Sequence, residues 1–165
     1  MKPNHEPYPF ADYVRARKSL ERALREGEDT YLLLTGESGT GKTALVRDLS
    51  AAIDRHHYRA QYFSHARALG ASGLVRVLAR TLRVPTGRSH AETVHALAAQ
   101  LREEPVPLWL SLDEAHELPE ETLTEVRTLA ESDLGNSRRL RVLFSGLPPL
   151  RERREDIPPL IEHFR

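Results

Sequence analysis

Apolar positions along the chain come in two periods. Short runs at Tyr31–Thr35, Ala60–Ser64, Leu108–Leu112 and Leu140–Ser145 have the length of strands and are too brief for buried helices. Between them apolar residues recur three and four apart, as on one helix face. Such stripes are Tyr13, Ala16, Leu20, Ala23 and Leu24, running to Glu26; Leu45, Val46, Leu49 and Ile53; Leu74, Val75, Leu78 and Leu82. Two more are Val94, Leu97, Ala98 and Leu101, then Leu123, Val126 and Leu129. Gly27 and Asp29 close the first helix, His56-His57 falls in a turn, and Gly70 and Gly73 bracket a loop before the third. Pro85 and Gly87 stop that helix, Ser89 and Glu92 form a capping box for the next, and Pro119 suits a first helical turn. Strands alternate with helices throughout, which predicts an α/β three-layer fold, a mostly parallel sheet covered on both faces. Residues 1–12, with Pro3, Pro7 and Pro9, read as an extended lead-in, and 13–165 as a single domain.

Composition narrows the classes. A chain of 165 residues can bury roughly 70% of its unfolded surface as one domain. Its 24 basic and 24 acidic residues cancel, so no global charge argues for nucleic acid or an anionic membrane. Arg138, Arg139 and Arg141 are the one local cluster that supports DNA as a partner. The tail cluster Arg151, Arg153 and Arg154 is balanced by Glu152, Glu155 and Asp156 and reads as a solvated helix face. There is no cysteine, hence no disulfide or thiolate chemistry. No apolar run approaches the ~20 residues of a membrane span, and the start lacks a signal peptide's apolar stretch. A cytoplasmic protein is expected. The eight histidines form no ligand set and read as surface or turn residues.

One strand end carries specific chemistry. After Tyr31–Thr35 the chain reads Gly36-Glu-Ser-Gly-Thr-Gly-Lys-Thr43, the G-x-x-x-x-G-K-[ST] phosphate-binding loop. Glycines let the backbone curl so that its N–H groups form a nest for phosphate oxygens, and a helix starting near Lys42 adds its positive end. Lys42 can reach the outer phosphates, and the Thr43 hydroxyl can ligate Mg²⁺. The expected binding set is Gly36, Glu37, Ser38, Gly39, Thr40, Gly41, Lys42, Thr43 and Ala44.

A second strand end completes it. The run Leu108–Leu112 ends in Asp113-Glu114, the form of a Walker B motif. Carboxylates at the C-terminal end of a buried strand lie where α/β sheets put ligands. Asp113 is expected to share Mg²⁺ with Thr43, and Glu114 to orient or deprotonate the attacking water. Ser145, at the end of the last strand, is either a γ-phosphate sensor or a local hydrogen-bonding hydroxyl.

With Gly36–Thr43, Leu112-Asp-Glu-Ala-His116 and Val142-Leu-Phe-Ser-Gly146 in place, the chain resembles the AAA+ ATPases. Within them it looks most like the ExeA-type secretion and TniB-like transposition ATPases, whose Gly-x-Pro-x-Leu-Arg pattern is matched by Gly146-Leu-Pro-Pro-Leu-Arg151. The string Leu147–Ile157 also resembles the enhancer-binding activators of the alternative sigma factor. That register would put Arg138 or Arg139 near an arginine finger. Asp113-Glu-Ala-His116 spells the signature of a helicase group too, but those enzymes need two RecA-like domains and this chain has room for one.

The AAA+ resemblance implies ATP and Mg²⁺ as cofactors, a homo-oligomer or a completing partner protein, and hydrolysis that is slow in isolation. It also implies a fifth strand and a helical lid, which the sequence reads as lacking, leaving Tyr31–Thr35 as a sheet edge. Three uses stay open: a motor or switch ATPase in transposition or secretion, a non-hydrolysing nucleotide-binding adaptor, and a DNA-binding module.

Overall fold

The computed structural model describes residues 11–26, 29–132 and 139–150, and the backbone of 161–162. Its strands are β1 (Tyr31–Thr35), β2 (Arg59–Phe63), β3 (Leu108–Leu112), β4 (Leu140–Gly146) and β5 (Ile161–Glu162). They form one sheet in the order β2-β3-β4-β1-β5, every pairing parallel. The helices are α1 (Ala11–Glu26), α2 (Lys42–Ala52), α3 (Ala66–Thr81), α4 (His90–Glu103) and α5 (Glu120–Glu131), with a 3₁₀ turn at Ala115–Glu117.

Side chains alternate across a strand, and here both faces are apolar, as a parallel sheet between helices requires. Leu32, Leu34, Trp109 and Leu143 face α1 and α2, which contribute Ala16, Leu20, Ala23, Leu45, Val46 and Leu49. Tyr31, Leu33, Leu110, Val142 and Phe144 join the core packed by α3, α4 and α5. Each leucine so buried contributes roughly 1.5–3 kcal/mol. α4 opens with the expected box: Ser89 accepts the Glu92 N–H while Glu92 reaches back to the Ser89 N–H. The chain order reverses around β1 and β4, so the crevice at their C-terminal ends is the natural ligand position.

Several expectations are corrected. The fifth strand is not lacking: Ile161 and Glu162 pair in parallel with Leu32 and Leu33, so β1 is not an edge. Two residues carry no periodicity, which is why the pattern hid them. The loop expected around Gly70 and Gly73 is part of α3, which starts at Ala66 and kinks at Gly70, whose φ is 60°. α1 starts at Ala11, inside the expected lead-in.

The proposed basic cluster also changes. Arg141 is only 1% exposed. Its Nε donates to the Asp29 carbonyl at 2.6 Å and its Nη1 to the Tyr58 hydroxyl at 2.7 Å. The guanidinium lies 5.5 Å from the Trp109 ring centroid and 5.8 Å from that of Tyr58, within cation–π range. A side chain held this way cannot meet DNA. Arg139, just before β4, donates to the Glu104 carbonyl at 3.0 Å. Arg138, residues 1–10 and the 151–154 cluster lie outside the described residues.

Candidate active site

The loop from Gly36 to Thr43 leaves the end of β1 and closes on itself. Gly39 and Gly41 have φ of 79° and 87°, where a Cβ would be strained, so glycine is needed at both. Gly36 has no such φ; its role is close approach, since a Cβ there would stand 3.0 Å from Thr40 Oγ1. The Glu37 carbonyl is the hub. It accepts Thr40 Oγ1 at 2.8 Å and Lys42 Nζ at 2.6 Å. Desolvation lowers the Lys42 pKa, an effect opposed by Asp113 and Glu37. Gly41 caps α2 without any side-chain bond, leaving the first helical N–H groups to the loop. Glu37, Ser38, Thr40, Thr43 and Ala44 are exposed there.

The carboxylates stand opposite. Asp113 is 3% exposed and well satisfied. Its Oδ1 accepts Ser145 Oγ at 2.6 Å and the Glu114 N–H at 3.0 Å, and its Oδ2 accepts the Tyr62 hydroxyl at 3.2 Å. Desolvation first, and the Asp113 charge second, push the Tyr62 pKa up to about 12, so Tyr62 remains a donor at neutral pH. Glu114 is different. Its backbone is left-handed, with φ 55° and ψ 35°, a conformation that costs a non-glycine residue roughly 1–2 kcal/mol. Its exposed carboxylate lies 3.1 Å from His65 Nδ1. Such a cost persists only where the surrounding structure fixes the backbone.

Ser38, Gly39, Gly41, Lys42 and Thr43 share one cavity of about 480 Å³ with Asp113, Glu114 and His116. A larger cavity, about 620 Å³, lies between the ends of α1 and α2 against Tyr58 and Pro107. It contains neither loop amides nor the paired carboxylates, so the chemistry favours the smaller one. Ser145 is fully buried, donates to Asp113 across the sheet and is not among the cavity's lining residues.

Three further residues were not predicted from sequence: Tyr62 on Asp113, His65 on Glu114, and His116, whose Nδ1 accepts the Leu147 N–H at 3.2 Å. The position of Tyr62 and His65 at the end of β2, beside β3, was the available signal.

Among known families, the model for an AAA domain matches residues 25–153. The chain belongs to the AAA domain family. This AAA domain has the fold of Cdc6p from Pyrobaculum aerophilum, with a TM-score of 0.73 at 24% identity over 98% of this chain and 48% of that one. It also resembles the Aeropyrum pernix ORC1 protein, solved in complex with DNA, with a TM-score of 0.65 at 22% identity over 95% and 43%. The Aeropyrum pernix ORC2 protein, solved as ADPNP–ADP complexes, gives 0.54 at 22% identity over 95% and 47%. The AAA domain therefore spans about half the length of these structures. Comparison with curated proteins yields no match. No helix among the described residues is long and apolar enough to cross a membrane.

Proposed function

We propose that the protein binds ATP with Mg²⁺ and hydrolyses it, as a switch or motor ATPase of a DNA transposition or secretion system. The observation that carries this reading is the shared cavity, with Lys42 and Thr43 on one wall and Asp113 and Glu114 on the other. Lys42 and the amides of Gly36–Ala44 would hold the phosphates and neutralise charge that develops on them.

The donors also fit Mg²⁺, which prefers hard oxygens and keeps most of its waters and phosphate ligands. Thr43 offers a hydroxyl. Three of the roughly four lone-pair positions of the Asp113 carboxylate are taken, which leaves Oδ2 for a water-mediated contact. When bound, the metal would supply charge neutralisation on the outer phosphates. Glu114 would orient the attacking water and accept its proton, and Ser145 and Tyr62 would hold Asp113 in place.

Lys42→Ala should abolish binding of a fluorescent ATP analogue. Glu114→Gln should bind it like the parent and release phosphate at least about a hundredfold more slowly. Wild-type turnover by Glu114→Gln would remove the assigned base.

The His65–Glu114 contact favours a second reading, a nucleotide-binding adaptor in which the glutamate is held from water. It predicts binding with no phosphate release, with or without partners. DNA, with which the ORC1 neighbour was solved in complex, and a homo-oligomer or partner that supplies a transition-state arginine are the partners this reading proposes.

A further inference from the structure

We propose that Tyr62 is a positioning residue that selects the metal ion, by keeping the Asp113 carboxylate one water away from it and so favouring Mg²⁺ over Ca²⁺. This rests on nucleotide and metal binding between Thr43 and Asp113.

The strand register puts the phenol there. β2 and β3 run parallel, with Tyr62 opposite Ser111 and Phe63 opposite Leu112. Side chains alternate across a strand, so Trp109, Ser111 and Asp113 share one face of β3. α2 covers that face: Trp109 packs with Leu45, Val46 and Leu49, and Ser111 Oγ lies 3.1 Å from Ser50 Oγ. Tyr62 packs against the same cluster. Its ring stands beside Ser111, and its length carries the hydroxyl on to Asp113 Oδ2, at 3.2 Å. The helix over this face is the one that begins with Lys42 and Thr43.

The two oxygens of the carboxylate are not alike. Oδ1 accepts the Ser145 hydroxyl at 2.6 Å and the Glu114 N–H at 3.0 Å, which fills its lone pairs. Oδ2 accepts only Tyr62 among the described residues. Asp113 lines the cavity with Lys42 and Thr43, so Oδ2 is the oxygen with a lone pair left for a cation there. A metal bound directly to Oδ2 would share that oxygen with the phenol proton, and two positive partners on one oxygen repel. A metal-bound water avoids the conflict by donating a hydrogen to the remaining lone pair. Mg²⁺ tolerates this arrangement, since it dehydrates reluctantly and keeps several waters. Ca²⁺ takes more oxygen ligands, carboxylates often in bidentate form, and gains least from one held at a water's distance.

The test titrates Mg²⁺ and, separately, Ca²⁺ into the full chain with a fluorescent, non-hydrolysable ATP analogue and compares the half-saturating concentrations. Tyr62→Phe removes the hydroxyl alone, and the Ca²⁺-to-Mg²⁺ ratio should fall about tenfold. Ser145→Ala takes a bond from Oδ1 instead and should hold the ratio within about twofold. A tyrosine that only packs would leave the ratio unchanged in Tyr62→Phe, and that result overturns the proposal, as does an equal fall in Ser145→Ala. Mn²⁺ with ADP gives a second readout that the wild type carries alone. Thr43 and a phosphate oxygen would take two octahedral positions, so its electron-spin spectrum in water carrying a magnetic oxygen isotope should count about four waters, and about three in Tyr62→Phe. A count of about three in the wild type would mean direct ligation by Asp113, and would overturn the proposal even if the variant did not fold. If the nucleotide binds with metal but the ratio does not move, the role of Tyr62 fails while the nucleotide reading stands. If no nucleotide binds with either metal, both fail, and the nucleotide reading is the one at fault.

Discussion

The two walls of the candidate site are built in opposite ways. The phosphate loop is held by itself: Thr40 and Lys42 both bond the Glu37 carbonyl, three and five residues away, in an exposed setting. The carboxylate turn is held by distant strands. Asp113 depends on Ser145, 32 residues on, and Tyr62, 51 residues back, while Glu114 meets His65 across 49 residues. The first wall can change shape at little cost to the fold. The second is part of the core, and loosening it loosens the sheet.

The largest test of that contrast is Gly146→Val. Its Cβ has no room beside His116, and overpacking there should cost about 1–3 kcal/mol in urea unfolding. A Gly39→Ala change, with nothing within 4 Å of the new methyl and only its φ of 79° against it, should cost less. Equal losses would erase the distinction between the walls.

Ser145→Ala comes next. It deprives the buried Asp113 of its shortest bond and should destabilise by about 1–3 kcal/mol. Its counterpart Thr40→Ala, exposed in the loop, should stay within about 0.5 kcal/mol. Paired denaturation curves with superimposable midpoints would show that the carboxylate is not held as tightly as its geometry indicates.

The smallest effect concerns His65. The side chain is 74% exposed and that of Glu114 49%, so His65→Ala should change stability by less than about 0.5 kcal/mol. Phosphate release should nevertheless rise about two- to fivefold as Glu114 is freed. Unchanged turnover would mean that the pair does not restrain the glutamate.

The same contrast explains what could be read from the chain. The loop Gly36–Thr43 was legible because its partners lie within a few residues, and the strand runs and helix stripes were legible because each repeats within itself. Asp113 and Glu114 were legible in kind, but Tyr62, His65 and His116 were not, since nothing in a local period says which strand will be the neighbour. Arg141 misled for a related reason. In a strand buried on both faces, position does not mark a charged residue as exposed. Its Nε and Nη1 found oxygens at Asp29 and Tyr58, far away in sequence.

Trp109 is the only tryptophan in the chain. It is fully buried, with its indole N–H on Ser111 Oγ at 2.9 Å and Tyr58 and Arg141 against the ring. Intrinsic fluorescence excited at the red edge therefore comes from one chromophore in one environment. A change in its emission reports whether β3 and its neighbours remain packed. The indole does not line the phosphate pocket, so ligand titrations need a label of their own, and unfolding can be followed without one.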